Sequence, residues 1–143
     1  MFNFFYLHVK KVNFLAKLFP PAYVGDAGYD AVAMDNCTLL PGERYNMPLG
    51  VAIEFPSTYV CLVQQKSGLA KKFGFDTIGN VIDSNYRGEI HAQIVNTSNM
   101  SISIAAGDKV CQLIFVKIGV APIEYVLELK SSKRESNGFG SSG

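Results

Sequence analysis

Short apolar runs separated by glycine and proline form the dominant pattern along this 143-residue chain. Valine, isoleucine, phenylalanine, tyrosine and threonine fill the runs, and turn-forming residues recur at intervals of roughly ten residues. β-Branched and aromatic residues between regularly spaced turns are typical of an all-β sandwich or barrel. The clearest predicted strands are Val51–Phe55, Tyr59–Gln64, Glu89–Asn96 and Val110–Ile118.

Helical patterns are short, and none carries the apolar stripe of a long amphipathic helix. Val24–Met34 and Ser67–Phe73 have room for a helical turn. The stretch Lys133–Gly143 changes to a charged and then glycine- and serine-rich composition with a single aromatic residue. We therefore predict one all-β domain over residues 1–132, followed by a flexible tail over residues 133–143 that belongs to the same domain.

The composition fits one globular domain and argues against several classes of protein. The chain is 48% hydrophobic and 17% charged, and its 13 Lys and Arg against 12 Asp and Glu give a net charge of +1. A chain of this size buries roughly 68–70% of its unfolded surface, so it needs no metal or disulfide to be stable. The near-neutral charge and the lack of long basic runs argue against a nucleic-acid partner.

The cysteines bear on the compartment. Cys37, Cys61 and Cys111 are odd in number and widely spaced, which argues against a disulfide framework and, with only 2 histidines, against a zinc site. A reducing compartment fits best, so we expect a cytoplasmic protein, or one in the host cell or nucleus if its source is a virus. Lysines interrupt Met1–Phe19, which therefore predicts neither a signal peptide nor a membrane span. The sequence assigns no role to Met1–His8.

The segment Gly79–Ile90 carries the first candidate for chemistry. It reads as two strands joined by a tight turn at Ser84-Asn85. Residues that flank such a turn lie opposite each other, so Asp83 and Tyr86 are expected on one face. Asp83 is either a turn-capping side chain, the more common role of Asp before a turn, or a group with a chemical role.

Three other segments carry polar groups that a plain β-domain does not need. Lys66-Ser67-Gly68 ends a predicted strand and can offer a cation and backbone N–H groups to phosphate oxygens, but an ordinary loop start looks the same. Gln112 interrupts an apolar run and is either a satisfied core amide or a ligand contact. Phe139 follows Arg134 in a glycine-rich tail that suits a flap closing on a ring and an anion. A disordered end or an expression tag has the same composition.

Taken in order, five segments resemble the five motifs of the trimeric dUTP pyrophosphatase (dUTPase) family. A single such segment would be a coincidence, whereas five in sequence, spread from residue 27 onwards, are specific. The segments are Ala27–Ala33, Lys66–Ala70, Val81–Ile90, Gly107–Ile114 and Arg134–Gly143.

The resemblance implies a distorted jelly-roll-like β-barrel or sandwich, assembled as a homotrimer with active sites shared between subunits. It implies a dUTP diphosphatase, in which water attacks the α-phosphate and yields dUMP and pyrophosphate. Such an enzyme lowers dUTP and supplies dUMP for thymidylate synthesis. It uses Mg²⁺ held mainly by the triphosphate. The implied partners are dUTP and further copies of the chain, with neither nucleic acid nor membrane.

The resemblance also implies roles for individual residues. Asp83 would be the general base for the attacking water, and Tyr86 would pack on the deoxyribose and exclude a 2′-hydroxyl. Asp30 would lie near the hydration shell of the metal ion. The other implied substrate-binding residues are Lys66, Ser67, Gly68 and Gln112 for the phosphates, Asn80, Val81 and Ile82 for the uracil, and Arg134, Phe139, Gly140 and Ser141 for the closing flap.

Three residues depart from the family pattern. Lys66 stands where the second motif usually has arginine, and Asn80 stands where glycine usually precedes the Val-Ile-Asp sequence. We expect a weaker phosphate grip at Lys66, and a left-handed Asn80 whose side chain intrudes on the base pocket. Glu135 replaces a glycine and puts a negative charge beside the phosphates.

Other functions stay open at this point. A dCTP deaminase, which shares the fold and can be bifunctional, is disfavoured by the Val-Ile-Asp sequence and by the continuous Gly-Phe-Gly-Ser-Ser-Gly tail. A catalytically reduced nucleotide sensor or interaction protein would keep the scaffold, and only Lys66, Asn80 and Glu135 hint at it. A purely structural jelly roll would leave Asp83 and Tyr86 unexplained.

Overall fold

A computed structural model of the chain describes residues 4–140 and residue 142, and its regular structure is almost entirely β-strand. This confirms the predicted all-β class. The four clearest predicted strands are present with small changes at their ends. The elements are β1 His8–Lys11, β2 Leu18–Phe19, β3 Tyr29–Val32, β4 Cys37–Leu39, β5 Arg44–Pro48, β6 Val51–Glu54, β7 Tyr59–Gln64, α1 Ser67–Phe73, β8 Phe75–Ile78, β9 Val81–Ile82, β10 His91–Asn96, β11 Ile102–Ile104 and β12 Lys109–Lys117.

The strands form antiparallel sheets around one core. The largest sheet has the strand order β2-β3-β12-β7-β9, and a second has the order β5-β10-β8. β1 pairs with β6, and β11 pairs with β4. Strand β10 buries Ala92, Ile94 and Asn96 and turns the residues between them outward, as the two-residue period of a strand requires.

The core is aliphatic with aromatic rings at one side. Its largest fully buried side chains include Met47, Leu49, Ile94 and Leu113. Burying a side chain of this size is worth about 1.5–3 kcal/mol relative to leaving it exposed. Phe115 makes edge-to-face contacts with three other rings, at centroid distances of 5.2 to 5.7 Å. The core therefore forms without a disulfide bond, since all three cysteines are free.

The predicted helical turns had different outcomes. The prediction for Ser67–Phe73 is confirmed, and α1 ends at Gly74, whose φ of 71° is the left-handed conformation that favours glycine. The prediction for Val24–Met34 is wrong, because the segment contains a turn at Val24-Gly25 and then β3. β3 is held by β2 on one side and β12 on the other, and these long-range pairings outweigh the local preference. In the described residues, no helix has the length and apolar character that a membrane crossing requires.

The predicted hairpin over Gly79–Ile90 is also wrong in part. The turn is present, since the Tyr86 N–H donates to the Asp83 carbonyl at 3.1 Å. Its two sides do not pair with each other, because β9 pairs with β7 while β10 pairs with β5 and β8. The turn therefore links two different sheets.

An extended arm follows β12. From residue 118 to residue 140 the chain has no regular structure. Large apolar side chains in the arm are more than four-fifths exposed and add nothing to the core of the single chain. They are Val120, Ile123, Tyr125, Leu127 and Leu129.

The amide of Asn96 ties together the loops at one end of the molecule. It is only 1% exposed. Its Nδ2 donates to the carbonyls of Leu39 at 3.0 Å and Met100 at 2.7 Å, and its Oδ1 accepts from the Ser98 N–H at 2.9 Å. The buried side chain thus leaves no polar atom of its own unpaired.

We predict that Asn96→Ala lowers the free energy of unfolding by about 2–4 kcal/mol, because several interior groups lose their partner together. Asn99→Ala removes an exposed amide and should stay within about 0.5 kcal/mol of the natural chain. Denaturant unfolding at one fixed protein concentration measures both variants. Equal effects of the two substitutions would contradict a stabilising role for the buried network.

Candidate active site

Several of the predicted site residues line two separate cavities of the single chain. The first, the lysine cavity, has a volume of about 450 Å³ and is lined by residues that include Asp30, Lys66 and Gln112. The second, the turn cavity, has a volume of about 320 Å³ and is lined by residues that include Asp83 and Tyr86. The two linings have no residue in common.

Strand pairing builds the lysine cavity. Asp30 of β3 lies opposite Gln112 of β12, and Gln112 lies opposite Gln64 of β7. Lys66 follows Gln64 by two residues, at the point where β7 gives way to α1. Three sequence-distant motif segments are thus brought to one place by the order β3-β12-β7.

Asp30 is the electrostatic centre of the lysine cavity. One carboxylate oxygen lies 2.5 Å from the Lys66 Nζ, and the other lies 3.3 Å from the Lys109 Nζ. The Lys109 ammonium also stacks on the Phe19 ring, 4.2 Å from its centroid, and the Lys17 ammonium is 4.6 Å from the same ring. Asp26 also lines the cavity, so two carboxylates balance two lysines, and the two ammonium groups are what the lining offers to an anionic ligand.

Backbone and amide donors border the same cavity. The Gln112 Nε2 donates to the Gln65 carbonyl at 3.1 Å, so this amide is both partly satisfied and placed at the cavity wall. Gly28 packs against it, and a side chain at residue 28 would have to displace the Gln112 amide. Ser67 and Gly68 begin α1 directly after Lys66 and are not themselves among the lining residues.

Tyr86 forms a wall of the turn cavity. Its hydroxyl donates to the Glu89 carbonyl at 3.0 Å, and its ring lies over Gly88, where any side chain would collide with it. Arg87 closes the turn through a 2.7 Å hydrogen bond to the Ser84 carbonyl. The ring is therefore fixed before any ligand arrives.

Asp83 lies at the mouth of the turn cavity and is exposed. Its carbonyl accepts the turn hydrogen bond, but its carboxylate receives none from the residues that the structure describes. The turn-capping role is therefore not the one observed. The carboxylate is free to hold a water molecule or a ligand.

Asn80 contradicts the expectations for it. The left-handed residue is Gly79, with a φ of 64°, so Asn80 keeps an ordinary backbone. The Asn80 Nδ2 donates to the Thr77 carbonyl at 3.3 Å, and the side chain does not line the turn cavity. Its Oδ1 is buried without a partner among the described residues. The residues on either side of Asn80, Gly79 and Val81, do line the cavity.

Val81 and Ile82 form an edge strand. β9 pairs with β7 and ends the five-stranded sheet, so its outer edge carries backbone groups without a strand partner. Such an edge can accept a ligand that offers its own donors and acceptors.

None of the tail residues that the structure describes lines either cavity of its own chain. The Arg134 Nε donates to the Asn137 carbonyl at 2.7 Å, and Phe139 is fully exposed. The Glu135 carboxylate accepts from the Ser132 N–H at 2.9 Å, so its charge is directed back into its own turn. Gly140 has a φ of 93°. Ser141 lies outside the described residues.

Several lining residues were not predicted. Lys109 was missed because it is three residues before Gln112, which in a regular strand places it on the opposite face. Glu89 and His91 line the turn cavity, with the His91 Nδ1 at 3.1 Å from the Glu89 carbonyl. The outward positions of β10 were the available signal for His91.

The two buried cysteines, Cys61 and Cys111, line neither cavity. Burial raises the pKa of both the Cys61 and Cys111 thiols to about 12. Both stay protonated at neutral pH and are poor nucleophiles.

Comparison with known proteins gives concordant results. A family model described as dUTPase matches residues 15–143. The deoxyuridine 5′-triphosphate nucleotidohydrolase of Leifsonia xyli subsp. xyli is 41% identical over 136 residues, which cover 92% of this chain and 90% of that protein. The protein of the same name from Zymomonas mobilis subsp. mobilis is 36% identical and is matched over 96% of this chain and 97% of its own.

A solved structure of the Staphylococcus bacteriophage 80alpha dUTPase with dUpNHpp has a TM-score of 0.90 and 27% identity to this chain. The superposition covers 96% of this chain and 98% of that one. The likeness extends over the whole domain and confirms the jelly-roll-like all-β fold.

Proposed function

The chain belongs to the dUTPase family, and we propose that it hydrolyses dUTP to dUMP and pyrophosphate with Asp83 as the general base. Its relatives carry the name of this activity, which does not favour a dCTP deaminase. The observation that carries the proposal is a carboxylate beside a tyrosine wall in one cavity and a pair of lysine ammonium groups in a second cavity of the same chain. The reaction lowers dUTP and supplies dUMP for thymidylate synthesis.

The two cavities are halves of one site that forms between subunits of a homotrimer. They have no lining residue in common, so neither alone holds both a base and a phosphate cradle. The arm after β12 exposes Val120, Ile123 and Leu127 to solvent. A row of exposed apolar side chains marks a protein–protein contact surface. The partner for this surface is a second copy of the same chain.

In the turn cavity the substrate presents its nucleoside. The uracil edge meets the unpaired backbone groups of Val81 and Ile82. Cytosine would leave those groups without partners, at a cost of about 1–3 kcal/mol for each group. The Tyr86 ring packs on the deoxyribose and leaves no room for a 2′-hydroxyl. Asp83 orients the water that attacks the α-phosphate and takes its proton.

In the lysine cavity the substrate presents its phosphates. Lys66 and Gln112 reach phosphate oxygens from two strands, and the N–H groups of Ser67 and Gly68 do so from the start of α1. Phosphoryl chemistry of this kind depends mainly on positioning and on neutralising charge, so these contacts matter as much as the base.

Mg²⁺ fits this donor set as an ion carried by the triphosphate. The described residues hold no cluster of three carboxylate, imidazole or thiolate groups that would cage a metal. Asp30 is a single carboxylate already held by two lysines, so it would contact the water shell of the ion. When bound, the ion neutralises charge that develops on the phosphates.

Residues 133–143 form a flap that closes over the bound substrate. Arg134 contacts phosphate, Phe139 covers the uracil, and Gly140 and Ser141 approach the phosphates closely. Glycines allow such an approach, and none of the side chains that the structure describes in this stretch is buried, which leaves the tail free to move. The free thiols support a reducing, cytoplasmic setting, or the host cell or nucleus for a viral source.

A nucleotide panel tests the proposed function. With dUTP, dCTP, dTTP and UTP, we expect efficient turnover of dUTP alone, with dUMP and pyrophosphate identified by chromatography. Tyr86 should exclude UTP, and the strand-lined pocket should exclude the 5-methyl group of dTTP. Turnover of dCTP to a uracil product would favour a deaminase. Binding of dUTP without any product would favour a nucleotide sensor.

We predict that Asp83→Asn lowers kcat by about 10²–10⁴-fold, because it removes the base. The shape of the side chain is kept, so affinity for a non-hydrolysable dUTP analogue should stay within a few-fold. Asp76→Asn, on β8 and away from both cavities, is the matched control and should keep full activity. A kcat above about a tenth of the natural value would remove Asp83 from the role of base.

We predict that deletion of Arg134–Gly143 leaves a folded trimer, since the described residues of the segment add nothing to the core. Most turnover should be lost, because the flap that covers the substrate is gone. If the flap acts on a neighbouring subunit, Asp83→Asn chains and tail-deleted chains refolded together should regain activity. In such a trimer one chain supplies Asp83 and another supplies Arg134 and Phe139. Pyrophosphate release measures the recovery, and native mass spectrometry verifies the mixed trimers. Mixed trimers as inactive as their parents would place the flap over its own subunit.

A further inference from the structure

We propose that Lys109 is a further phosphate-binding residue, acting beside Lys66 on the triphosphate of the substrate. The inference deepens the proposed function and rests on it. It starts from the shape of β12 and not from the motif pattern, which assigns no role to this side chain.

A β-bulge brings Lys109 into the lysine cavity. The pairing of β12 with β3 shifts between Lys109 and Cys111, where Lys109 lies opposite Val32 and Cys111 lies opposite Ala31. Val110 is therefore an extra residue, and both it and Cys111 are buried in succession. The bulge reverses the alternation, so that Lys109 and Gln112 both line one cavity although three residues separate them. Bulges that re-aim a side chain are over-represented next to active sites.

Two neighbours hold the Lys109 ammonium in place. The second oxygen of Asp30 lies 3.3 Å from its Nζ, and the Phe19 ring lies beneath it. The side chain nevertheless remains 46% exposed. It is thus oriented but still accessible to a ligand that enters the cavity.

The arrangement supplies what Lys66 alone lacks. An arginine offers two parallel donors to a phosphate, whereas a lysine is a single point charge. Here the two oxygens of Asp30 hold two ammonium groups side by side. The pair presents separate donors to neighbouring phosphate oxygens, as a guanidinium fork does from a single side chain.

A purely structural role explains less. Lys66 already satisfies Asp30 with the shorter contact, and a second, half-exposed ion pair adds only about 0–1 kcal/mol to stability. A stabilising role does not require a bulge that places a cation in an open cavity.

The test compares Lys109→Gln with Lys109→Arg and with Lys117→Gln, which changes an exposed lysine at the far end of the same strand. We expect Lys109→Gln to weaken binding of a non-hydrolysable dUTP analogue by about ten-fold, the low end for a charged hydrogen bond. Inhibition by inorganic pyrophosphate should weaken in parallel. Competitive inhibition by deoxyuridine, which has no phosphate, should stay within about two-fold. Lys109→Arg and Lys117→Gln should bind all three ligands almost as the natural chain does.

The outcomes separate this inference from the function on which it rests. Unchanged analogue binding in Lys109→Gln would overturn the inference. Equal loss for deoxyuridine and the analogue would also overturn it, since that pattern reports general damage to the site. A natural chain that binds the analogue but releases no pyrophosphate would overturn the proposed hydrolysis. The role of Lys109 in phosphate binding would stay measurable in that case by calorimetry.

Discussion

The pairing of β12 with β3 on one edge and with β7 on the other is the constraint on which the lysine cavity depends. Backbone hydrogen bonds fix the register, and the register fixes which side chains meet. Asp30, Gln112 and Gln64 stand in one row across the three strands, and Lys66 follows at the end of that row. A one-residue shift in the register of any of these strands would turn its side chains to the other face of the sheet and separate these residues.

Much of the fold could be predicted because the local signals agree with the long-range pairings. The strand over Tyr59–Gln64 and the helix over Ser67–Phe73 have the predicted bounds. The course of the chain after β9 could not be predicted in the same way. A turn at Ser84-Asn85 is visible in the sequence, but nothing local states that β10 pairs with distant β5 and β8 and not with β9.

The candidate site shows a similar division. Motif residues such as Asp83 and Gln112 could be identified from the sequence, and the structure places them at cavity walls. Lys109 could not, because the extra residue of a bulge leaves no mark in a pattern of alternating positions. The expectation of a left-handed backbone at Asn80 was wrong by one residue, because Gly79 is the residue that adopts this conformation.

The attachment of β9 has a consequence for motion. Only two residues pair this strand to β7, at the outer end of the five-stranded sheet. So short a pairing supplies few hydrogen bonds, and this edge belongs among the least stable parts of the sheet. We expect the segment to open locally well before the whole domain unfolds, and its amide hydrogens to exchange sooner than those of β12. A ligand that pairs with the outer edge would slow that opening. The exchange rate of the amide hydrogens of β9 would therefore report directly whether the site is occupied.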